Sequence, residues 1–538
     1  MSLDRLIAYH EVSKHRLERY APGPGYLDWA TQPDPFRTYA GAPRVELPLC
    51  AEAMRVRYND IRRGGLPAPA AVDRDSIAAL LELSLGLSAW KAYRGTSWAL
   101  RCNPSSGNLH PTEGYVATGA VPGLERGLYH YASRDHALER RAVLRDGPSL
   151  AGGIVVGLAS IYWREAWKYG IRAFRYCQHD CGHAIGAIAY AAAALGWRAR
   201  LLVEPGDAEV ARLLGLDRAT DFGGAEREEP DCLLWVGPAD PPPAATISAL
   251  GASAAWSGRA NRLSSSHVAW REVDAVHAAT AKPPSTGAPR LRPSTRPARV
   301  PWLDLAAAAI IRQRRSAVDF DGETAIGAEA FYTMLEPLLP RESVPPWALW
   351  PYAPRVHLAL FVHRVVGLDP GLYVLARDPD GVEPLRRAMR PEWRWQRRGP
   401  DDLALYLLAA HDVRDAARTV SCHQHIAADS CFALAMLADF DCAAREPWRY
   451  RELHWECGMI GQVLYLEAEA AGIRATGIGC FFDDALHEVL GLAVGPDARR
   501  DWQTLYHFTA GGAIDDPRLT TLPPYSFAPR ARVPTASR

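Results

Sequence analysis

The sequence lacks an excess of charge of either sign. Its 61 Lys+Arg and 61 Asp+Glu cancel to a formal net charge of +0 in 538 residues, so no global field draws it to a nucleic-acid backbone or an anionic membrane surface. Nucleic acid is not expected as a partner. Long hydrophobic runs are also missing: the least polar stretch, residues 184–197, is about 14 residues and rich in Ala and Gly, against the roughly 20 needed to span a bilayer. No membrane association is expected. The start, Met1 to His10, has no unbroken apolar core behind a basic end, so it does not read as a secretory signal and a cytoplasmic setting is expected. Cysteine is sparse, ten in 538 residues without regular spacing, too thin for a disulfide framework and suited to free thiols in a reducing compartment.

What is present is the composition of a folded protein, 48% hydrophobic and 23% charged, long enough for two to four domains at roughly 150 residues each. Residues 20–48 are dense in Pro, Gly and aromatics, and residues 238–301 in Pro, Ala and Ser, which reads as extended or linker chain. The second stretch ends in a basic run, Lys282, Arg290, Arg292, Arg296 and Arg299. That run reads as a solvated tether or, alternatively, as a dock for an acidic partner.

Self-similarity organises the rest. A shift of 276 residues superposes Arg175 on Arg451, Asp180 on Glu456, Cys181-Gly182 on Cys457-Gly458, Gly196 on Gly472, Asp207 on Asp483, and Leu214-Gly-Leu216 on Leu490-Gly-Leu492. A shift of 244 superposes Gly123 on Gly367 and Gly127-Leu-Tyr129 on Gly371-Leu-Tyr373. This predicts two diverged copies of one mixed α/β (α+β) domain: an N-terminal extension over 1–71, domain one over 72–240, a linker over 241–301, and domain two over 302–538. Helices are predicted over 75–90, 180–196, 303–318 and 456–472, and strands over 115–118, 232–236, 358–363 and 504–509, giving a helix-rich domain around a modest sheet.

Three motifs carry chemistry. Pro104-Ser105-Ser106-Gly-Asn108 is a Pro-fixed turn presenting two hydroxyls and an amide to the edge of a planar polar ligand. Arg314-Arg315-Ser316 places two guanidinium groups beside a hydroxyl, suited to phosphate or a flavin edge. Thr476-Gly477-Ile-Gly479-Cys480 lets backbone approach a flat ligand and offers bare N–H donors. Each alone also reads as an ordinary element: a capped turn, a solvent-facing arginine pair, a glycine turn. The clusters Cys177-Gln-His179-Asp-Cys181-Gly-His183 and Cys422-His-Gln-His425 lack converging metal-ligand geometry, and no metal site is expected. Cys181 is expected in the core and Cys422 in an exposed loop. Most of the 17 Trp, which include Trp98, Trp163, Trp167, Trp448 and Trp455, should be core, with one or two lining a substrate pocket as the alternative.

Together and in this order the three motifs resemble the nitroreductase family. More narrowly, Asp28-Trp29, Gln32-Pro33, the Pro-Ser-Ser-Gly-Asn turn, Gly127-Leu-Tyr-His-Tyr131, Trp167-Lys-Tyr-Gly170, Arg172, Arg175-Tyr176, Asp180 and Gly182-His183 resemble the SagB-type dehydrogenases, the branch containing the azoline dehydrogenases of thiazole/oxazole peptide pathways. The resemblance implies an FMN-dependent oxidoreductase, with natural product biosynthesis as its setting. It also implies an intramolecular version of the family's dimer, in which Pro104, Ser105, Ser106 and Asn108 from one copy face Arg314, Arg315, Ser316, Gly477, Gly479 and Cys480 from the other. The repeat registers imply one site per chain, because Ala348 to Tyr352 falls where a second Pro-Ser-Ser turn would be and Arg200 to Glu204 where a second glycine loop would be. Many relatives carry a basic residue two positions after the motif serine; here it is Val318. Lys168-Tyr169 resembles the Lys-Tyr pair that takes the proton in azoline dehydrogenases, with Arg172 and Arg175 expected to lower the Lys168 pKa. The expected substrate is a peptide or an amino-acid-derived small molecule, with partner proteins of a biosynthetic complex possible and the chain a monomer or a higher homo-oligomer. The alternatives are an NAD(P)H-dependent nitro, quinone or ene reductase, and a non-catalytic partner of a peptide-modifying complex.

Overall fold

The structure, a computed structural model, describes residues 2–144, 150–250, 254–287, 298–495 and 501–527. Two helices of 22 residues, Ala173–Ala194 and Arg449–Ala470, pack against each other at the centre. Every residue of the first is buried. Alanine gives this segment high helix propensity, and its small side chains, with those of its mate, let the two backbones approach. At the crossing, a Cβ on Gly182 would lie 2.3 Å from the Trp455 carbonyl, and one on Gly458 would lie 2.3 Å from the His179 carbonyl. These glycines are 276 residues apart, so the contact lies where the repeat meets itself.

Each half carries one large antiparallel sheet. In the first the order is Ala254–Trp256, Ala137–Leu144, Gly127–Ala132, Thr112–Thr118, Ile154–Ser160, Glu229–Gly237, Arg198–Leu202, with Arg44–Glu46 as an eighth strand also pairing Ala137–Leu144. The second runs Gln396–Arg397, Ala404–Ala410, Gly371–Ala376, Val356–Val362, Phe432–Asp439, Trp502–Gly511, Arg474–Ile478, with the same chain order through its last six strands. At eight and seven strands, these sheets are larger than the modest ones predicted. The 244 register relates Thr112–Thr118 to Val356–Val362, and the 276 register relates Asp207–Leu214 to Asp483–Leu490.

Three sequence expectations are corrected. The helix predicted over 75–90 ends at Ser84, and Leu87–Tyr93 pairs as a strand with Thr96–Arg101 and with Thr520–Leu522 near the end of the chain. The helix predicted over 303–318 is Ala307–Gln313: Arg314 leaves helical geometry because Ser316 forms a parallel bridge to Ala475. The stretch 241–301 is not a bare tether. Its helix Arg271–Ala279 packs on Ser2–Val12, and Lys282 exchanges hydrogen bonds with Asp207. His15, after Ser2–Val12, makes the same exchange with Asp483. Each half is thus preceded by a helix whose following residues dock on the other half. Of the basic run, Arg290, Arg292 and Arg296 lie outside the described residues, while Arg299 pairs with Asp402.

Two ion pairs mirror one another across the halves. Asp483 accepts from Arg172 and Arg175, and Asp207 from Arg451, all at 3.1 Å or less and nearly without solvent exposure. No helix among the described residues is long and apolar enough to cross a membrane.

Candidate functional site

A cavity of about 870 Å³ lies between the halves, and all ten residues expected to hold a cofactor line it. The first half brings them by way of the hairpin Leu87–Arg101, which delivers the chain to Pro104. The turn then takes left-handed conformations at Gly107, Asn108 and His110. Strain of this kind persists only where the surroundings enforce it. Here Asp180, on the central helix, accepts from both the backbone N–H and the Oγ of Ser106, at 3.0 and 2.9 Å, while Ser105 Oγ accepts from the His110 N–H. The Asn108 amide donates to the Ala99 carbonyl at 2.9 Å. Burial pushes the Asp180 carboxyl up to about 7, against the lowering hydrogen bonds from Ser105 and Ser106.

The second half contributes through Tyr465. Its hydroxyl pairs with Ser316 Oγ at 2.8 Å and accepts from the Gly477 N–H at 3.1 Å. The Gly477 N–H is therefore not the bare donor expected. The glycine is required by packing instead, because a Cβ there would lie 1.9 Å from the Tyr506 hydroxyl. Gly479 is similarly pressed by Tyr176, and its carbonyl accepts from Arg172 and the Tyr176 hydroxyl. Arg314 is 3% exposed, with its guanidinium 4.9 Å from the Tyr465 ring centroid. One nitrogen donates to the Arg101 carbonyl of the other half, while Nε and Nη1 have no protein partner. Arg315 donates to the carbonyls of Arg312, Arg314 and Ser88, and burial together with Arg314 lowers it to about 10.

Of the predicted proton-handling pair, Tyr169 lines the cavity and Lys168 does not. Adjacent residues on a helix point about 100° apart, so Tyr162–Tyr169 can aim only one of them inward. Tyr169 covers the turn, where a Cβ on Gly107 would meet its hydroxyl at 2.4 Å. Lys168 holds its ammonium 5.3 Å from the centroid of the Tyr169 ring. Arg172 and Arg175, expected to crowd Lys168, are paired with Asp483 instead. Burial, with Glu165, raises the Tyr169 phenol well above its ordinary value.

Sequence reading missed Tyr465 and Tyr506, which carry no motif, and the C-terminal segment. Ile514 to Thr521 crosses the cavity and is pinned where the Tyr525 hydroxyl accepts from the Leu87 N–H at 3.0 Å. Trp98 lines the cavity, while Trp163, Trp167, Trp448 and Trp455 are buried. Val318 is 84% exposed at the rim. Cys181 is fully buried, and Cys422 is half-buried rather than loop-exposed.

The repeat-related position on the opposite side is filled in part. The turn Trp347–Leu349 packs on Arg198–Leu202, and Lys282 Nζ donates to the carbonyls of Val203 and Pro205. Val203 is the register equivalent of Gly479. A smaller cleft of about 410 Å³ remains there, around Trp350, Arg355 and Glu452.

A family model described as "Nitroreductase family" matches residues 371–512. A protein of Methanocaldococcus jannaschii assigned by name to the nitroreductases is 33% identical over 104 residues, 17% of this chain and 52% of that protein. The chain thus spans about half the length of this curated relative. A solved structure from Anabaena variabilis, also described as a nitroreductase, superposes with a TM-score of 0.68 at 22% identity, covering 95% of this chain and 99% of that one. The McbBCD microcin synthetase complex of Escherichia coli, solved with truncated pro-MccB17 bound, aligns with a TM-score of 0.28 at 15% identity over 42% of this chain and 79% of that one. The fold is that of the nitroreductases.

Proposed function

We propose that this chain is an FMN-dependent oxidoreductase with one flavin site shared by its two halves, acting as a SagB-type dehydrogenase on a peptide- or amino-acid-derived, azoline-like substrate. The observation that carries the reading is the Arg314 guanidinium: buried, spanning both halves, with two nitrogens unpartnered in a cavity large enough for a cofactor. A buried unpaired cation is costly. An anionic or electron-rich ligand edge between the Pro104–Asn108 turn and the Ser316–Gly477 corner removes that cost. Arg315 adds a second positive charge that meets carbonyls only, suited to a phosphate. Asn103 Oδ1 and His110 Nδ1, both buried and unpartnered at the cavity, supply further polar contacts.

A bound flavin would supply two-electron acceptance. This chain's own residues would do the rest. Asp180 holds the turn in its strained conformation. Tyr169 Oη, over that turn, stays a protonated phenol that holds the proton-bearing group of the substrate by a hydrogen bond, and Lys168, with its ammonium 5.3 Å from the Tyr169 ring centroid, acts through Tyr169 by positioning it. The partly filled counterpart cavity favours one flavin per chain, and the domains run as 72–240 and 302–538.

The test is the flavin-to-polypeptide ratio after FMN saturation. A ratio near one, lost in Arg314→Ala, is expected. A ratio near two would refute the shared site, and no flavin at all would favour the non-catalytic partner. Rapid flavin bleaching by NADPH would move the reading to the reductase.

A further inference from the structure

Seven of the ten cysteines are buried, and three, Cys50, Cys422 and Cys480, are partly exposed. Two of those three meet. Cys480 ends the glycine loop in the cavity wall. Cys422 stands in the short connection between helices Arg414–Val420 and Ile426–Asp429, and its side chain neighbours that of Cys480 closely enough for the two to interact electrostatically. The connection is strained: Cys422 and His423 both adopt left-handed backbone, with φ of 54° and 59°. Two consecutive non-glycine residues in that region mark a conformation the surroundings impose. Gln424 does so by donating to the Cys480 and Ser421 carbonyls, both at 2.9 Å, which clamps the connection to the loop and brings the thiols together.

A third group completes the cluster. His15 accepts from the Ala21 N–H at Nδ1, at 2.8 Å, so its ring proton sits on Nε2, and its ring neighbours Cys480. Burial keeps the ring neutral. The Cys480 sulfur thus has the Cys422 thiol, the neutral His15 ring and the Arg172 cation as its electrostatic neighbours, and these hold it below the ordinary thiol range while Cys422 is held above it. Tyr20, Tyr169, Tyr176 and Asp483 are further titratable neighbours. One sulfur poised as thiolate and an adjacent one kept protonated is the arrangement of an attacking and a resolving cysteine.

We propose that Cys480 and Cys422 form a redox-active dithiol in the cavity wall, oxidised by low-molecular-weight disulfides to a Cys422–Cys480 bridge. The Cys480 thiolate attacks one sulfur of the disulfide, forming a mixed disulfide and expelling one small thiolate. The Cys422 thiol loses its proton to solvent and attacks the Cys480 sulfur, expelling the second. Two protein thiols are oxidised, one disulfide is reduced to two thiols, and no other oxidant is needed. The bridge ties the glycine loop to the 421–425 connection. The proposal does not depend on flavin, and the two can fail separately.

The full-length protein supplies its own reference, because burial pushes the Cys50 thiol up to about 11. Per unit of lowered pKa, thiolate population rises tenfold and intrinsic nucleophilicity falls about threefold, a net gain of about threefold. Iodoacetamide at pH 6.5 should therefore alkylate Cys480 at least about tenfold faster than Cys50. Oxidised glutathione should yield a Cys422–Cys480 linked peptide by mass spectrometry under non-reducing conditions, and Cys422→Ser should stop the reaction at glutathionylated Cys480. Alkylation of Cys480 at the Cys50 rate would overturn the proposal. So would a wild-type protein that keeps glutathione on Cys480 without forming the bridge, or one that takes up none.

Discussion

Replacing Asp483 by Asn and, separately, its repeat mate Asp207 by Asn should separate what the cross-half ion pairs do for stability from what they do for the site. Each substitution keeps the volume and removes one charge from a buried cluster, leaving Arg172 and Arg175 unpaired in one case and Arg451 in the other. Removing one partner of a buried pair costs about 3–5 kcal/mol. With an unfolding entropy of roughly 2.1 cal/mol/K per residue over about 500 ordered residues, 1 kcal/mol moves Tm by about 1 °C, so each variant should melt about 3–5 °C lower. The flavin response should differ. Asp483 orients Arg172, which donates to the Gly479 carbonyl in the cavity wall, whereas Asp207 faces the partly filled side. Asp483→Asn should weaken FMN binding at least about tenfold, or about 1.4 kcal/mol, and Asp207→Asn should leave it unchanged. Burial alone would raise the Asp483 carboxyl, but Arg175 and Arg172 hold it well below the usual carboxylate range. Its stabilisation is therefore complete above the unfolded value of about 3.9 and is lost as pH falls through the folded one, so the Tm gap should close on acidification. Differential scanning calorimetry and FMN fluorescence quenching read both effects. Equal flavin losses in the two variants, or a Tm gap under about 1 °C at pH 7, would refute the reasoning.

Two further predictions address packing and pH. Gly477→Ala forces a methyl onto the Tyr506 hydroxyl and should cost about 1–3 kcal/mol. Because Tyr506→Phe removes the clashing oxygen, the double variant should regain part of the loss in urea melts, and strict additivity would contradict the packing account. Burial alone would lower His130, but the hydrogen bonds it donates to Glu113 and Glu139 raise it to about 9. Its contribution, about 3 kcal/mol from that shift, is fully present below the unfolded value of about 6.5 and is lost as pH rises through 9. Urea midpoints should accordingly fall between pH 7 and pH 9.5 in the wild type and hold nearly level in His130→Gln; parallel slopes would exclude the pair.

The sequence by itself determined the repeat. Gly182 and Gly458, Arg175 and Arg451, and Asp207 and Asp483 are local identities at one offset; the first central helix follows from its alanine content and the second from its place in the repeat. It also marked the turn and loop motifs, because glycine, proline and serine are needed where the backbone takes unusual conformations. The folded chain decided what depends on partners far away in sequence. Leu87–Tyr93, a hairpin with its neighbour Thr96–Arg101, joined a three-stranded sheet because Thr520–Leu522 pairs with its other edge, and Arg314 left its helix because Ser316 reached Ala475. Tyr465 gathers Ser316 and Gly477 although nothing in its neighbourhood signals a site. Lys168 and Tyr169 were indistinguishable as a dipeptide, and the helix aimed only one of them into the cavity. The Cys422–Cys480 contact joins positions 58 residues apart, and no periodicity reports a meeting of that kind: local rules fix φ, ψ and facing, whereas long-range contacts are set by the packing of whole elements.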